Sequence, residues 1–254
     1  MKPFWTALSM YSQIPVPETE WNADSMAWAL CCFPFVGIAV GIALCLWLYF
    51  SLVFAIPVFL QGGMALAIPV LISGGIHLDG FCDTMDALAS NAPREKRLEI
   101  LKDTHAGAFS GIGCAVYMIV FFSAWCSIEL SVKNIVVLSL TPVLSRSLSG
   151  LAAVTLPNAR GSGLLACFTE FADLKKARII LLLWIILICI SMIIISPAIG
   201  AACVAAGILT YIYYVKMSQK HFGGITGDLA GFFLQLCELC TVLAAALAGH
   251  FILL

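Results

Sequence analysis

Three aspartates in one short segment have the spacing of a metal site. Asp79, Asp83 and Asp86 are four and then three residues apart, so on a helix all three carboxylates lie on one face. At about 6 Å and an effective dielectric near 20, two such charges repel by about 3 kcal/mol. Three of them would not stay ionised together without a cation. Hard oxygen ligands of this kind favour Mg²⁺ or Mn²⁺, with water and phosphate in the remaining positions.

More charged residues follow directly along the chain. The stretch 94–103 (REKRLEILKD) has the pattern of an amphipathic helix, and its residues Arg94, Glu95 and Lys96 are predicted to be solvated. Asp103 stands immediately before the next apolar run, so it is predicted to lie level with the first three carboxylates and to complete an anionic metal site. His77 precedes the three aspartates, and three roles stay open for it: a metal ligand, a phosphate-orienting group or a cap at the membrane interface.

Two polar residues stand inside apolar runs, and two glycine-rich loops carry charge. An unpaired Arg146 within a membrane span would cost at least about 3 kcal/mol, so it is predicted to face the bundle interior and a partner. Glu238 is ten residues beyond Asp228, so on one helix it is predicted to lie about 15 Å deeper in the membrane. The turn 223–228 (GGITGD) can offer backbone N–H groups to phosphate. Arg160, in the other loop, either holds phosphate or anchors the topology.

The elements that must position these residues are membrane helices. The chain of 254 residues is 62% hydrophobic and only 11% charged, whereas soluble domains are roughly 45–50% apolar. Runs of about 20 apolar residues cross a bilayer as helices. The composition therefore predicts an all-α polytopic membrane bundle with about seven transmembrane segments. These segments are Ala27–Ser51, Val53–Ile76, Ala106–Ile128, Ile135–Leu156, Ile179–Ile195, Ile199–Val215 and Leu229–Leu254.

Nothing in the sequence divides this bundle into two domains, so residues 1–254 are predicted to form a single integral-membrane catalytic domain. Residues 1–24 are predicted to be an interfacial segment rather than a signal peptide, because Pro15 and Pro17 end the first apolar stretch and no small-residue cleavage site follows. Residues 77–105 are predicted to form the acidic and basic active-site segment on the cytoplasmic side.

The basic residues predict the orientation of the chain. If residues 77–105 are cytoplasmic, nearly every lysine and arginine lies inside; only Lys133 lies outside, and Arg146 falls within a span. Such a split fits the positive-inside rule, with the N-terminus inside and the C-terminus outside. The active site is then predicted to face the cytoplasm. The net charge of −1 gives no basis for expecting a nucleic-acid partner.

Five segments, in order along nearly the whole chain, resemble the cobalamin synthase family, the adenosylcobinamide-GDP ribazoletransferases. Three positions depart from the family pattern, namely Gln13, Ala87 and His105. The segments are SQIPVP (12–17), HLDGFCDTMDA (77–87), RLEILKDTHAGAFSG (97–111), ARGSG (159–163) and GGITGDLAG (223–231), with Glu238 following the last.

The resemblance implies a reaction in the bacterial inner membrane. Adenosylcobinamide phosphate would pass from adenosylcobinamide-GDP to α-ribazole or α-ribazole 5′-phosphate, with GMP leaving and Mg²⁺ (or Mn²⁺) required. Such phosphoryl transfer depends on metal, on cations at the phosphates and on an oriented nucleophile. The implied metal and diphosphate ligands are Asp79, Asp83, Asp86 and Asp103, with Asp86 or Asp103 as the base. The implied substrate-binding residues are His77, Lys102, Arg146, Arg160, Asp228 and Glu238.

Two other functions stay open from the residues alone. The acidic motif is similar to that of CDP-alcohol phosphotransferases of lipid synthesis, but no arginine follows Asp79 where their D-G-x-x-A-R motif requires one. An ion-coupled secondary transporter could use Asp228, Glu238 and Arg146 as a pathway, but the inverted repeat typical of transporters is missing. The sequence also leaves open whether the protein is a homo-oligomer and whether free or phosphorylated ribazole is preferred.

Overall fold

The protein is all-α, as the sequence predicts. A computed structural model describes residues 2–17, 23–161 and 173–253. Within these ranges the only extended pairing is an isolated bridge between Asn158 and Ile225. The helices are α1 (Lys2–Tyr11), α2 (Ala23–Val53), α3 (Val58–Ser73), α4 (Ile76–Ala89), α5 (Arg94–Ile100), α6 (Ala108–Cys126), α7 (Val132–Thr155), α8 (Leu174–Ile195), α9 (Pro197–Phe222) and α10 (Gly227–Leu253).

Six of the described helices are long and apolar enough to cross a membrane: α2, α6, α7, α8, α9 and α10. Helices α3 and α4 pass the same test only as a pair, and they are bent by 96° at their junction. The prediction of about seven transmembrane segments is therefore confirmed, counting the bent pair as one. The predicted second span, Val53–Ile76, is shorter in the structure, because α3 begins after Pro57 and ends at Ser73.

Helix α7 forms the centre of the bundle, with 83% of its most apolar stretch buried, against 17% for α8. Glycines on α2 allow its close approach to α7. A Cβ at Gly41 would lie 2.2 Å from the Ser139 carbonyl oxygen, and one at Gly37 would lie 2.5 Å from that of Pro142. Because neither position has room for a side chain, α2 and α7 pack backbone to backbone.

Helix α1 packs against the bundle. Its buried residues Ala7 and Leu8 join Phe33, Val36 and Leu234 in a small hydrophobic cluster, so α1 contacts both α2 and α10. The sequence predicts a short interfacial helix here, and the structure gives a helix over Lys2–Tyr11. Residues 18–22 of the predicted interfacial segment, and 162–172 beyond Arg160, lie outside the described residues.

Candidate active site

Two consecutive glycines create the bend that orients the acidic helix α4. Gly74 and Gly75 have φ angles of 64° and 79°, a left-handed conformation that other residues adopt only with strain. Gly74 caps α3 by donating its N–H to the Leu71 carbonyl. A Cβ at Gly74 would also lie 2.4 Å from the side chain of Gln13. The chain therefore turns sharply at this point, and α4 leaves the direction of α3.

Helix α4 carries the three aspartates at the predicted helical spacing. Asp79, Asp83 and Asp86 all lie within Ile76–Ala89, and none of the three is buried. The opposite face of α4, which includes Phe81 and Thr84, is buried against the bundle. The prediction that the three carboxylates share one accessible helix face is thus confirmed; we call these three residues the acidic face.

A glycine contact between α4 and α10 brings a fourth carboxylate to this face. A Cβ at Gly80 would lie 2.7 Å from the Asp228 carbonyl oxygen, and one at Gly231 would lie 2.9 Å from that of His77. The two helices therefore cross backbone to backbone, with Asp228 beside the acidic face. Asp228 is close enough to act on the charge of Asp83. Partial burial of Asp83, together with the charges of Asp79, Asp228 and Asp86, raises the pKa of Asp83 to about 6.

Arg160 supplies the positive charge of the site. Its guanidinium lies 2.8 Å from the Asp228 carboxylate, and both side chains are largely buried. The position of the loop is fixed by backbone bonds, in which the Ala159 N–H donates to Ile225 and the Ile225 N–H donates to Pro157, each at 2.9 Å. The two glycine-rich loops that the sequence marks as phosphate-binding candidates are therefore held against each other.

Asp86 is anchored to the start of α6. Its two carboxylate oxygens accept the N–H groups of Gly107, at 2.6 Å, and of Ser110, at 2.8 Å. These N–H groups belong to the first turn of α6, where a negative charge is favoured by the helix dipole. Asp86 thus joins α4 to α6, and each of its oxygens keeps lone pairs for a further partner.

Asp103 and Lys102 lie in the exposed link between α5 and α6. Asp103 accepts the His105 N–H at 3.0 Å and contacts the His105 ring nitrogen Nδ1 at 2.8 Å. These bonds lower the pKa of Asp103. The groups whose charges act on Asp83 are the other three carboxylates and Arg160. The roles predicted for Asp103, as metal ligand and base, stay predictions.

Arg146 and Glu238 are paired with each other in the core. The guanidinium contacts the Glu238 carboxylate directly, and both side chains are nearly inaccessible, at 2% and 4% exposure. Ser145 donates its hydroxyl to the same carboxylate at 3.0 Å. The prediction that Arg146 faces the interior and a partner is confirmed, and the partner is Glu238. Substrate binding by either residue stays a prediction.

Arg97 belongs to the charged stretch 94–103, but it does not lie on the solvated side of α5. Its side chain is buried, with Nε donating to the Ala92 carbonyl at 2.8 Å and Nη1 lying 2.5 Å from Nδ1 of His221. This contact ties α5 to the end of α9. Its two partners are 124 residues apart, so no local pattern in the sequence could indicate it.

The donor set fits a hard divalent cation. Asp79, Asp83 and Asp228 offer carboxylate oxygens, the ligands that Mg²⁺ prefers alongside water and substrate phosphate. In the described part of the chain, no three acidic, histidine or cysteine side chains converge closely enough to coordinate one ion. A cation here would therefore take only part of its coordination from protein, which leaves positions for phosphate oxygens.

Comparisons with known proteins agree with the resemblance of the motifs. The family described as cobalamin-5-phosphate synthase matches residues 3–246. An adenosylcobinamide-GDP ribazoletransferase of Lachnoclostridium phytofermentans is 40% identical over 98% of this chain and 94% of its own length. A protein of the same name from Clostridium botulinum (strain Alaska E43) is 34% identical over 97% of this chain and 97% of its own length. Another from Pseudomonas putida (strain W619) is 34% identical over 98% of this chain and 100% of its own length.

No solved structure matches the chain. The family match covers nearly the whole sequence, and it includes the acidic face, the Arg160 loop and the turn before α10. The chain therefore belongs to the cobalamin-5-phosphate synthase family.

Proposed function

We propose that this protein joins adenosylcobinamide-GDP to α-ribazole, or to α-ribazole 5′-phosphate, with release of GMP. The product is adenosylcobalamin or its 5′-phosphate, so the reaction is a late step of cobalamin biosynthesis. The names of the relatives support the reaction. The observation that carries it is the site itself: the acidic face lies beside Asp228, and Arg160 contacts Asp228 at 2.8 Å.

These residues suit the transfer of a phosphoryl group. We propose that Asp79 and Asp83, with Asp228 beside them, hold Mg²⁺ on the diphosphate of the substrate. When bound, the ion would neutralise charge on the phosphate oxygens. Arg160 adds a cation for the charge that develops on the departing GMP. The pKa of Asp83, about 6, leaves its carboxylate ionised at neutral pH and available to a cation.

In the transfer, one oxygen–phosphorus bond replaces another. The attacking hydroxyl of ribazole forms a bond to the phosphorus attached to cobinamide, the bond from that phosphorus to GMP breaks, and the hydroxyl proton passes to a base. Asp86 and Asp103 are the candidates for this base. Asp86 is the nearer to Asp83, on the same helix, and accepts two backbone N–H groups, whereas Asp103 is exposed and has His105 as its hydrogen-bond partner among the described residues.

Purified protein in detergent micelles tests this function. With adenosylcobinamide-GDP and α-ribazole, we expect one GMP for each adenosylcobalamin formed, measured by chromatography and mass spectrometry. CDP-diacylglycerol with an alcohol acceptor serves as the matched alternative substrate pair and should release no CMP. CMP release without GMP release would favour a CDP-alcohol phosphotransferase and overturn the proposed reaction.

We further propose that the site faces the cytoplasm of a bacterial inner membrane. The contacts Arg97–His221 and Arg160–Asp228 gather most of the basic segments at one end of the bundle, which is the cytoplasmic end under the positive-inside rule. A reporter fused after Lys220 should therefore read cytoplasmic, and one fused after Leu254 should read periplasmic. A cytoplasmic reading at Leu254 would contradict this orientation.

A further inference from the structure

A small cavity opens beside the acidic face. It has a volume of about 170 Å³ and is enclosed by α1, α2, α4, α7 and α10. Asp79 and Asp228 line one end, and Leu234 lines the wall six residues farther along α10. Six residues of helix span about 9 Å. The cavity therefore leads from the carboxylates of the proposed metal site into an apolar interior.

Aromatic rings form part of the cavity wall. Tyr11, Phe33 and His77 all line it. The Tyr11 and His77 ring centroids are 6.3 Å apart, with the ring planes at 25°, and the centroids of Phe33 and His77 are 6.2 Å apart, with the planes at 67°. Flat walls of this kind favour a flat aromatic ligand, which packs against them by offset or edge contacts.

The imidazole ring of His77, in this wall, has a nitrogen without a hydrogen bond. The His77 side chain is only 5% exposed, and its Nε2 atom has no hydrogen-bond partner among the described residues. Buried polar atoms are nearly always paired, because an unpaired one loses its bonds to water without compensation. The unpaired nitrogen of a residue that lines a cavity therefore indicates a ligand that carries a hydrogen-bonding atom of its own.

The size of the cavity selects among the parts of the two substrates. An apolar cavity of about 150 Å³ holds a benzene ring, whereas drug-sized ligands need about 300 Å³ or more. A corrin ring or a guanosine diphosphate is too large for this space. The base of α-ribazole is a flat, largely apolar bicyclic ring with one unsubstituted ring nitrogen, and it matches the cavity in size, shape and polarity.

We infer that this cavity binds the base of α-ribazole, with His77 Nε2 hydrogen-bonded to the unsubstituted ring nitrogen and the ribose directed towards Asp79 and Asp228. The inference rests on the proposed function, because it assigns one substrate of that reaction to one part of the site. It also explains why the ribose hydroxyl would reach the diphosphate: the apolar end of the cavity holds the base, and the acidic end holds the metal and phosphate.

Filling the cavity tests this assignment. Ala153 lines the cavity and is buried, so Ala153→Leu should occupy the space of the base. We expect the KM for α-ribazole to rise at least tenfold and the KM for adenosylcobinamide-GDP to change by less than twofold. Ala246→Leu is the matched control, because Ala246 lines a separate cavity of about 300 Å³ beside Glu129 and His250. It should leave both constants unchanged.

Enlarging the cavity gives a readout that a misfolded protein cannot produce. Leu234→Ala removes a buried side chain from the wall. The readout is the ratio of kcat/KM for the α-riboside of the larger base naphthimidazole to kcat/KM for α-ribazole. We expect this ratio to be at least tenfold higher in Leu234→Ala than in wild type. If the wild type is active but Ala153→Leu leaves the KM for α-ribazole unchanged, the inference is overturned and the proposed function stands. The same holds if Leu234→Ala leaves the base preference unchanged. A wild type that releases no GMP would overturn the proposed function as well.

Discussion

Asp83→Asn is expected to lower the rate of GMP release by at least about 10²–10³-fold, the usual loss when one preorganised electrostatic contact is removed. Asp83 is the middle residue of the acidic face, so we expect it to contact the cation whichever neighbour acts as base. Asparagine keeps the volume of the side chain and removes the charge. Raised Mg²⁺ should restore only part of the rate, measured with purified protein at saturating substrates.

Stability separates this loss of activity from a folding defect. In the folded protein the pKa of Asp83 is about 6, against 3.8 for the free group. The charged form is therefore disfavoured by folding, and this destabilisation grows as the pH rises from about 4 through about 6. Removing the charge should leave the Tm at pH 7.5 without Mg²⁺ unchanged or raised. The matched control is Glu95→Gln, at an exposed position of α5, and it should change neither Tm nor rate.

Arg146→Leu is expected to destabilise the protein by about 3–5 kcal/mol, because it leaves the Glu238 carboxylate buried without its partner. A leucine that removed nothing but a substrate contact would leave the protein folded and would weaken the binding of adenosylcobinamide-GDP. The buried pair changes that expectation. The measurement is thermal unfolding in detergent. Lys133→Leu, which removes an exposed cation from the same helix, should have little effect.

The double variant Arg146→Leu, Glu238→Leu should recover most of the lost stability, because apolar replacement of a complete buried pair is often neutral. If the two residues only hold the bundle together, the double variant also regains activity. A single Arg146→Leu variant with a wild-type Tm and a lost affinity for adenosylcobinamide-GDP would instead assign Arg146 to substrate binding.

The sequence predicts the acidic face well because its information is local. The helical spacing of Asp79, Asp83 and Asp86 depends only on neighbouring residues, and the same is true of the long apolar runs that become spanning helices. The second predicted span is less accurate. Its apolar run continues through Gly74 and Gly75, and hydropathy does not register the left-handed turn that bends the chain there.

The rest of the site depends on contacts between distant segments. Asp228 reaches the acidic face because Gly80 and Gly231 allow α10 to pack against α4, and neither glycine has a local signal that identifies its partner. The burial of Arg97 arises in the same way from α9. The cavity lined by Tyr11, Phe33 and His77 needs helices from both ends of the sequence, so it became visible only in the folded chain.

We propose that the acidic face holds the metal ion on the substrate diphosphate. Electron–nuclear double resonance on the Mn²⁺-loaded protein with bound adenosylcobinamide-GDP tests this proposal, because it detects phosphorus nuclei next to the metal. We predict a ³¹P coupling in wild type and in Glu95→Gln, and its loss in Asp83→Asn. A ³¹P coupling of full strength in Asp83→Asn, at wild-type Mn²⁺ occupancy, would contradict the assignment of the metal to this face.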